Sequence, residues 1–162
     1  MKLRDFVKRI PETFAIEILE ALPAPDRREL LRNHGAKVAI GAGSLKRSDR
    51  VQKEVRLLRT ALEKSENPDD ARTFLQGWLA RRAEMIVGFL DAWGVAHQGG
   101  IVEDFDWVAK LEVAKVKDSL AKVGPKAEPV APLVYFAYLE MPVTGEVLDV
   151  DALLKGLESV KA

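Results

Sequence analysis

His97, Glu103, Asp104 and Asp106 lie close together in the chain and combine an imidazole with carboxylates, the side chains used for acid–base catalysis and metal ligation. Their spacing suits neither use. The other imidazole is His34, the chain has no cysteine, and no H-x₃-H or E-x-x-H pair sets ligands on one helix face. Acid–base chemistry also needs a second group held at hydrogen-bonding distance, and the pattern alone supplies none. His97 therefore stands as a weak candidate loop site. His34, just before Gly35, reads as a helix C-terminal residue favoured by the helix dipole.

Residues 37 to 46, KVAIGAGSLK, imitate a dinucleotide-binding turn because a short β-like run precedes Gly-x-Gly at a helix start. Lys46 occupies the place of the third glycine, and no second strand follows to complete a βαβ unit. A Walker loop fails as well, since neither Gly41 nor Gly43 precedes Lys-Ser/Thr. What survives is a phosphate held by amides near Ser44 with Lys37 and Lys46. The segment is read instead as a connector, and no residue pattern calls for a cofactor.

From Arg27 to Arg59 there are ten basic and three acidic residues, with Lys46, Arg50, Lys53, Arg56 and Arg59 on one helix face. Such a face can contact a polyanion through its phosphates. No aromatic residue lies between Phe14 and Phe74, which removes base stacking from this segment. On a helix running through residues 68 to 93, 100° steps place Arg82 near the centre of the apolar arc, beside Trp78, Ile86 and Phe89. A buried guanidinium needs a partner, and Glu140 inside the apolar run LVYFAYLEM is the candidate; an anionic ligand in a pocket is the alternative. Gly77 and Gly88, eleven residues apart, would share one side of that helix and suggest close approach of another backbone, most simply within the same chain.

The elements that must position these residues are helical throughout. Leu3, Phe6, Val7 and Ile10 make one stripe; after Pro11, Phe14, Ala15, Ile18, Leu19 and Leu22 make another. Leu30 and Leu31 belong to a brief third helix ending at Gly35, and Ser44 caps a fourth carrying Val51, Val55, Leu58 and Leu62. Asn67, Pro68, Asp69 and Asp70 are the strongest start signal in the chain, and Gly94 the matching stop. Acids 103 to 106 are expected to open a helix reaching Val123 with two apolar sides, one of them Trp107, Leu111 and Ala114. Residues 133 to 141 read as a buried helix in preference to a short strand, and Asp149 caps a last helix with Leu153, Leu154 and Leu157.

These readings predict an all-α fold: one domain over residues 1 to 162, a compact irregular bundle of about six to seven helices around a long central helix. Its 162 residues, 48% hydrophobic and 31% charged, suit a chain that folds alone. No apolar run approaches the roughly 20 residues that span a bilayer, so no membrane anchor is expected. Lys2, Arg4, Lys8 and Arg9 resemble the start of a signal peptide, but Glu12, Glu17 and Glu20 interrupt what should follow, and a cytoplasmic location is expected. Residues 1 to 60 carry 14 basic and 8 acidic side chains and the remainder 11 and 17, a split that favours attraction within or between copies. The leading functional expectation is a non-enzymatic protein acting on a protein partner or on itself. Nucleic-acid association through residues 27 to 59 is the alternative, and a small-anion site at Arg82 the second alternative.

Overall fold

The computed structural model describes residues 1–34 and 46–159. Gly35, Lys37, Ser44 and the Gly-x-Gly stretch lie outside the described residues. Among those described, the chain forms ten α-helices and no strand, which is the all-α class expected. No helix among them is long and apolar enough to cross a membrane. Contacts gather into two compact units, one of Leu3–Trp78 and one of Met1–Lys2 with the chain from Leu79.

The first unit holds α1 (Leu3–Arg9), α2 (Glu12–Ala21), α3 (Ala24–Asn33), α4 (Arg47–Lys64) and most of α5 (Pro68–Ala80). The stripes expected from spacing are its buried residues: Phe6, Val7 and Ile10, then Phe14, Ile18 and Leu19, then Val55, Leu58 and Leu62. α4 packs on α1 and α2. Asn67 caps α5 through its side-chain oxygen, 3.1 Å from the Asp69 amide. At the far end of α5, Trp78 stacks edge-on to Phe14, ring centroids 5.4 Å apart, and donates its indole N–H to Glu17 at 2.9 Å. A Cβ on Gly77 would lie 2.8 Å from both Ala21 O and Leu22 Cα, so α5 and α2 meet backbone to backbone.

The long helix is interrupted. α5 ends at Ala80 and α6 begins at Ala83, with Arg82 at φ −123°, ψ 30°. The Arg82 amide bonds back to Leu79 O at 2.8 Å, a tightened last turn, while the Arg82 carbonyl accepts from Met85 and Ile86 at 3.0 and 3.2 Å and starts a new ladder. Instead of one rod of about 40 Å there are two helices of about 20 and 16 Å.

In the second unit α6 (Ala83–Trp93) packs on α7 (Val113–Val123). Gly94 stops α6 in the left-handed conformation, φ 71°, and the Val95 amide closes on Leu90 O at 3.0 Å. Gly88 faces the Val123 methyls, 3.4 Å from where a Cβ would stand, so the close approach expected at this glycine involves a side chain and not a backbone. α8 (Ala131–Tyr138) is buried at every position but Tyr138, the helical reading of this run. A residue in the left-handed region, Glu140 at φ 52°, ends it. α9 (Thr144–Val147) and α10 (Val150–Ser159) follow, with the Asp149 carboxylate accepting the Ala152 amide at 3.0 Å. Phe89, Trp93, Tyr135 and Phe136 form the aromatic core of this unit, with centroid separations of 5.2 to 6.1 Å. Burial pushes the Tyr135 phenol far above its ordinary range.

The helix expected from residue 103 starts ten residues late. Asp104 turns its carboxylate onto the Asp106 amide at 3.1 Å, and its carbonyl takes the Trp107 indole N–H at 2.9 Å. That local turn competes with helix propagation, as Asp side chains do when they bond nearby backbone. Only a 3₁₀ turn at Val108–Lys110 precedes α7. Trp107 and Leu111 are therefore loop residues rather than a second helical stripe.

Candidate functional site

The late start of α7 leaves a cleft of about 920 Å³ between two loops, over the C-terminal end of α6. Trp93 and Val95 contribute to its lining on the α6 side, and Trp107 stands 5.7 Å from Trp93, ring centroid to centroid. Glu103, Asp104, Asp106, Lys110 and Leu111 come from the long loop and its 3₁₀ turn. Lys115 of α7 donates to Trp93 O at 2.6 Å, placing a cation on the carbonyl end of α6 where the helix dipole favours it.

A two-residue turn forms the other wall. Gln98 and Ile101 exchange both backbone hydrogen bonds, at 2.9 and 3.1 Å, around Gly99 (φ 60°) and Gly100 (φ 92°). Positive φ at both central residues is what a tight type I′ hairpin turn requires, and glycine adopts it without steric cost. The turn rests on α6, where a Cβ at Gly100 would lie 3.4 Å from Ile86 Cγ2. It presents Ile101 to solvent at 75% exposure, against 43% for Leu57.

His97 ties the turn to α6. Its Nδ1 lies 3.2 Å from the Gly100 amide and its Nε2 3.0 Å from Asp91 Oδ1. A backbone N–H can only donate, so Nδ1 accepts and the ring proton sits on Nε2, pointing at Asp91. His97 shares the cleft with Glu103, Asp104 and Asp106 as their closeness in the chain suggested. Both its nitrogens are nevertheless engaged, and among the described residues no group of three His, Asp or Glu side chains is placed to hold a metal ion. Asp91 was not foreseen as its partner because Gly94 breaks the helical register between them.

The other predicted residues lie elsewhere. Arg82 pairs with Glu128, Nε to Oε2 at 2.8 Å, with a second guanidinium nitrogen also on Oε2. Glu128 stands in the proline-bounded stretch before α8, with no spacing signal linking it to Arg82. This carboxylate is a partner of the kind that a guanidinium there needs, and Glu140 occupies the left-handed turn after α8. Of the basic face, Arg56 forms a two-point pair with Glu12, at 2.8 and 3.0 Å. That hydrogen bond holds the Glu12 carboxyl below its ordinary range and raises Arg56. Arg59 donates to the Val7 and Lys8 carbonyls at 3.2 and 2.7 Å, closing the C-terminus of α1. Lys46, Arg50 and Lys53 are exposed. Lys37 and the amides near Ser44, proposed with Lys46 to hold a phosphate, fall outside the described residues.

Comparison of the chain with protein-family models, curated proteins and solved structures gives no match.

Proposed function

We propose that this chain is a non-enzymatic cytoplasmic module that binds a protein partner, and that the cleft between residues 93 and 115 receives a short basic and apolar segment of that partner. Ile101 carries the reading. A large aliphatic side chain held in water by a specialised two-glycine turn, on the rim of a cleft, leaves unused a burial free energy that a partner covering it would supply. Trp107 and Leu111 extend the apolar surface, and Glu103, Asp104 and Asp106 supply the carboxylates that a lysine or arginine would meet. Polyanion contact through α4 is supported less well, since Arg56 and Arg59 are spent on contacts within the unit.

Selection of a displayed random-peptide library on the purified chain tests the proposal. Enriched peptides should combine Lys or Arg with an aliphatic or aromatic residue. Their affinity should fall about tenfold or more with Ile101→Ser or with Glu103→Lys and Asp106→Lys together. No enrichment, or enrichment indifferent to these substitutions, would refute it.

A further inference from the structure

The imidazole of His97 bonds the Gly99–Gly100 turn, and it does so in a form that a proton destroys. Neutral His97 accepts the Gly100 N–H at Nδ1 and donates from Nε2 to Asp91. A proton taken from solvent onto Nδ1 uses the lone pair that Gly100 bonds, leaving two N–H groups facing each other at 3.2 Å. The contact on the opposite side changes in the other sense. Nε2–H to Asp91 becomes a charge-assisted bond between imidazolium and carboxylate, shorter and stronger than before. The ring therefore stays with α6, and the turn is the part that must leave.

Charged groups from each neighbouring element meet the ring or line the same cleft. Asp91 comes from α6, Glu103, Asp104 and Asp106 from the long loop, and Lys110 and Lys115 from the 3₁₀ turn and α7. Lys115 is drawn to the Trp93 carbonyl, and Asp91 is the carboxylate that meets the ring. Beneath Gly100 lie the apolar Ile86 and Val87 side chains.

We infer that protonation of His97 releases the Gly99–Gly100 turn from α6 and moves Ile101, so that the docking surface is coupled to pH. The regulatory part rests on the docking reading; the conformational part stands without it.

The test is a titration of the isotope-labelled full chain by NMR from pH 8 to 5, following the His97 ring together with the Gly100 and Ile101 amides. All three should move with one midpoint, and Asp91→Asn, which removes the anion that favours imidazolium, should carry that shared midpoint to lower pH. Gly100 and Ile101 amides that stay fixed, or move with a midpoint different from the ring, would overturn the inference. These spectra need no partner. The library-selected peptides should then bind more weakly on the acid side with the same midpoint. If no peptide binds at all, the docking reading falls while the spectra still decide the switch.

Discussion

Substituting alanine at Gly77 should destabilise the protein and at Gly88 should not, although the two glycines look alike in the sequence. At Gly77 the added methyl would sit 2.8 Å from Ala21 O and Leu22 Cα and 3.0 Å from Ala21 C. All three are backbone atoms, fixed by the end of α2. Carbon atoms rest roughly 3.5 to 4.0 Å apart, so α5 must back away from α2 by about 0.7 Å or more. Retreat on that scale loosens the Phe14–Trp78 edge contact and the Trp78–Glu17 hydrogen bond next to it. Overpacking costs about 1–3 kcal/mol, and contact with backbone puts this site at about 3. Alanine returns about 1 kcal/mol as the better helix former, leaving a net loss of about 2 kcal/mol.

At Gly88 the nearest atoms are the two Val123 methyls, both at 3.4 Å, on a side chain that can shift by a few tenths of an ångström. There the same helix-forming gain of about 1 kcal/mol is largely kept. Thermal and urea unfolding followed by circular dichroism compare the two variants with the parent chain. Gly77→Ala should lower the midpoint by about 4–8 °C, and Gly88→Ala should leave it unchanged or raise it by up to about 4 °C. Because the two glycines belong to different compact units, tryptophan emission identifies which unit melts: Trp78 reports one, Trp93 and Trp107 the other. A Gly77→Ala protein as stable as the parent would refute the backbone-contact reasoning.

Ser119→Ala should destabilise the second unit by about 1–3 kcal/mol, because the buried Trp93 indole N–H, 2.9 Å from Ser119 Oγ, is left without its acceptor; urea unfolding measures it, and Ser119→Thr, which keeps the hydroxyl, should recover part of the loss. Glu12→Gln should weaken the first unit near pH 7 but not in acid. Arg56 lowers the Glu12 pKa in the folded state, so the pair stabilises above the ordinary carboxylate range and its contribution is lost as pH falls through the depressed value. Unfolding curves of parent and variant should converge in acid; a gap that persists below about pH 3 would mean that packing, not charge, separates them.

Features decided within a turn or two of chain were legible in the sequence. Asn67 and Asp149 cap where their side-chain oxygens predict, Gly94 stops α6, and the apolar stripes of α1, α2 and α4 are the buried ones. The loop of residues 102–112 was misread because its acids satisfy the composition rule for a helix start, while Asp104 uses its oxygens to fold the backbone back. That error hid the cleft. Ile101 and Trp107 carry no site signal in the sequence, because single apolar side chains are ordinary there and only their juxtaposition distinguishes them.

Arg82 shows where a correct local rule stops applying. A helical wheel adds 100° per residue, so its phase is meaningful only while φ and ψ remain helical. Within α5 the wheel places Ala71, Phe74, Leu75, Trp78 and Leu79 on one face, and within α6 it does the same for Met85, Phe89, Leu90 and Trp93; all nine are buried. At Arg82, φ −123° and ψ 30° reset the phase, and the angle between the two stripes no longer follows from counting. Residues on the two sides of the break do not share one wheel, so counting across it does not fix where Arg82 points. The Gly77–Gly88 line came from the same step. No proline or glycine marks residues 79 to 83, so the usual sequence signs of a break are missing. The charge that seemed out of place was the remaining sign: a guanidinium on an apolar arc with no acidic neighbour three or four residues away. It finds Glu128, 46 residues along the chain, where the interruption leaves it free to reach.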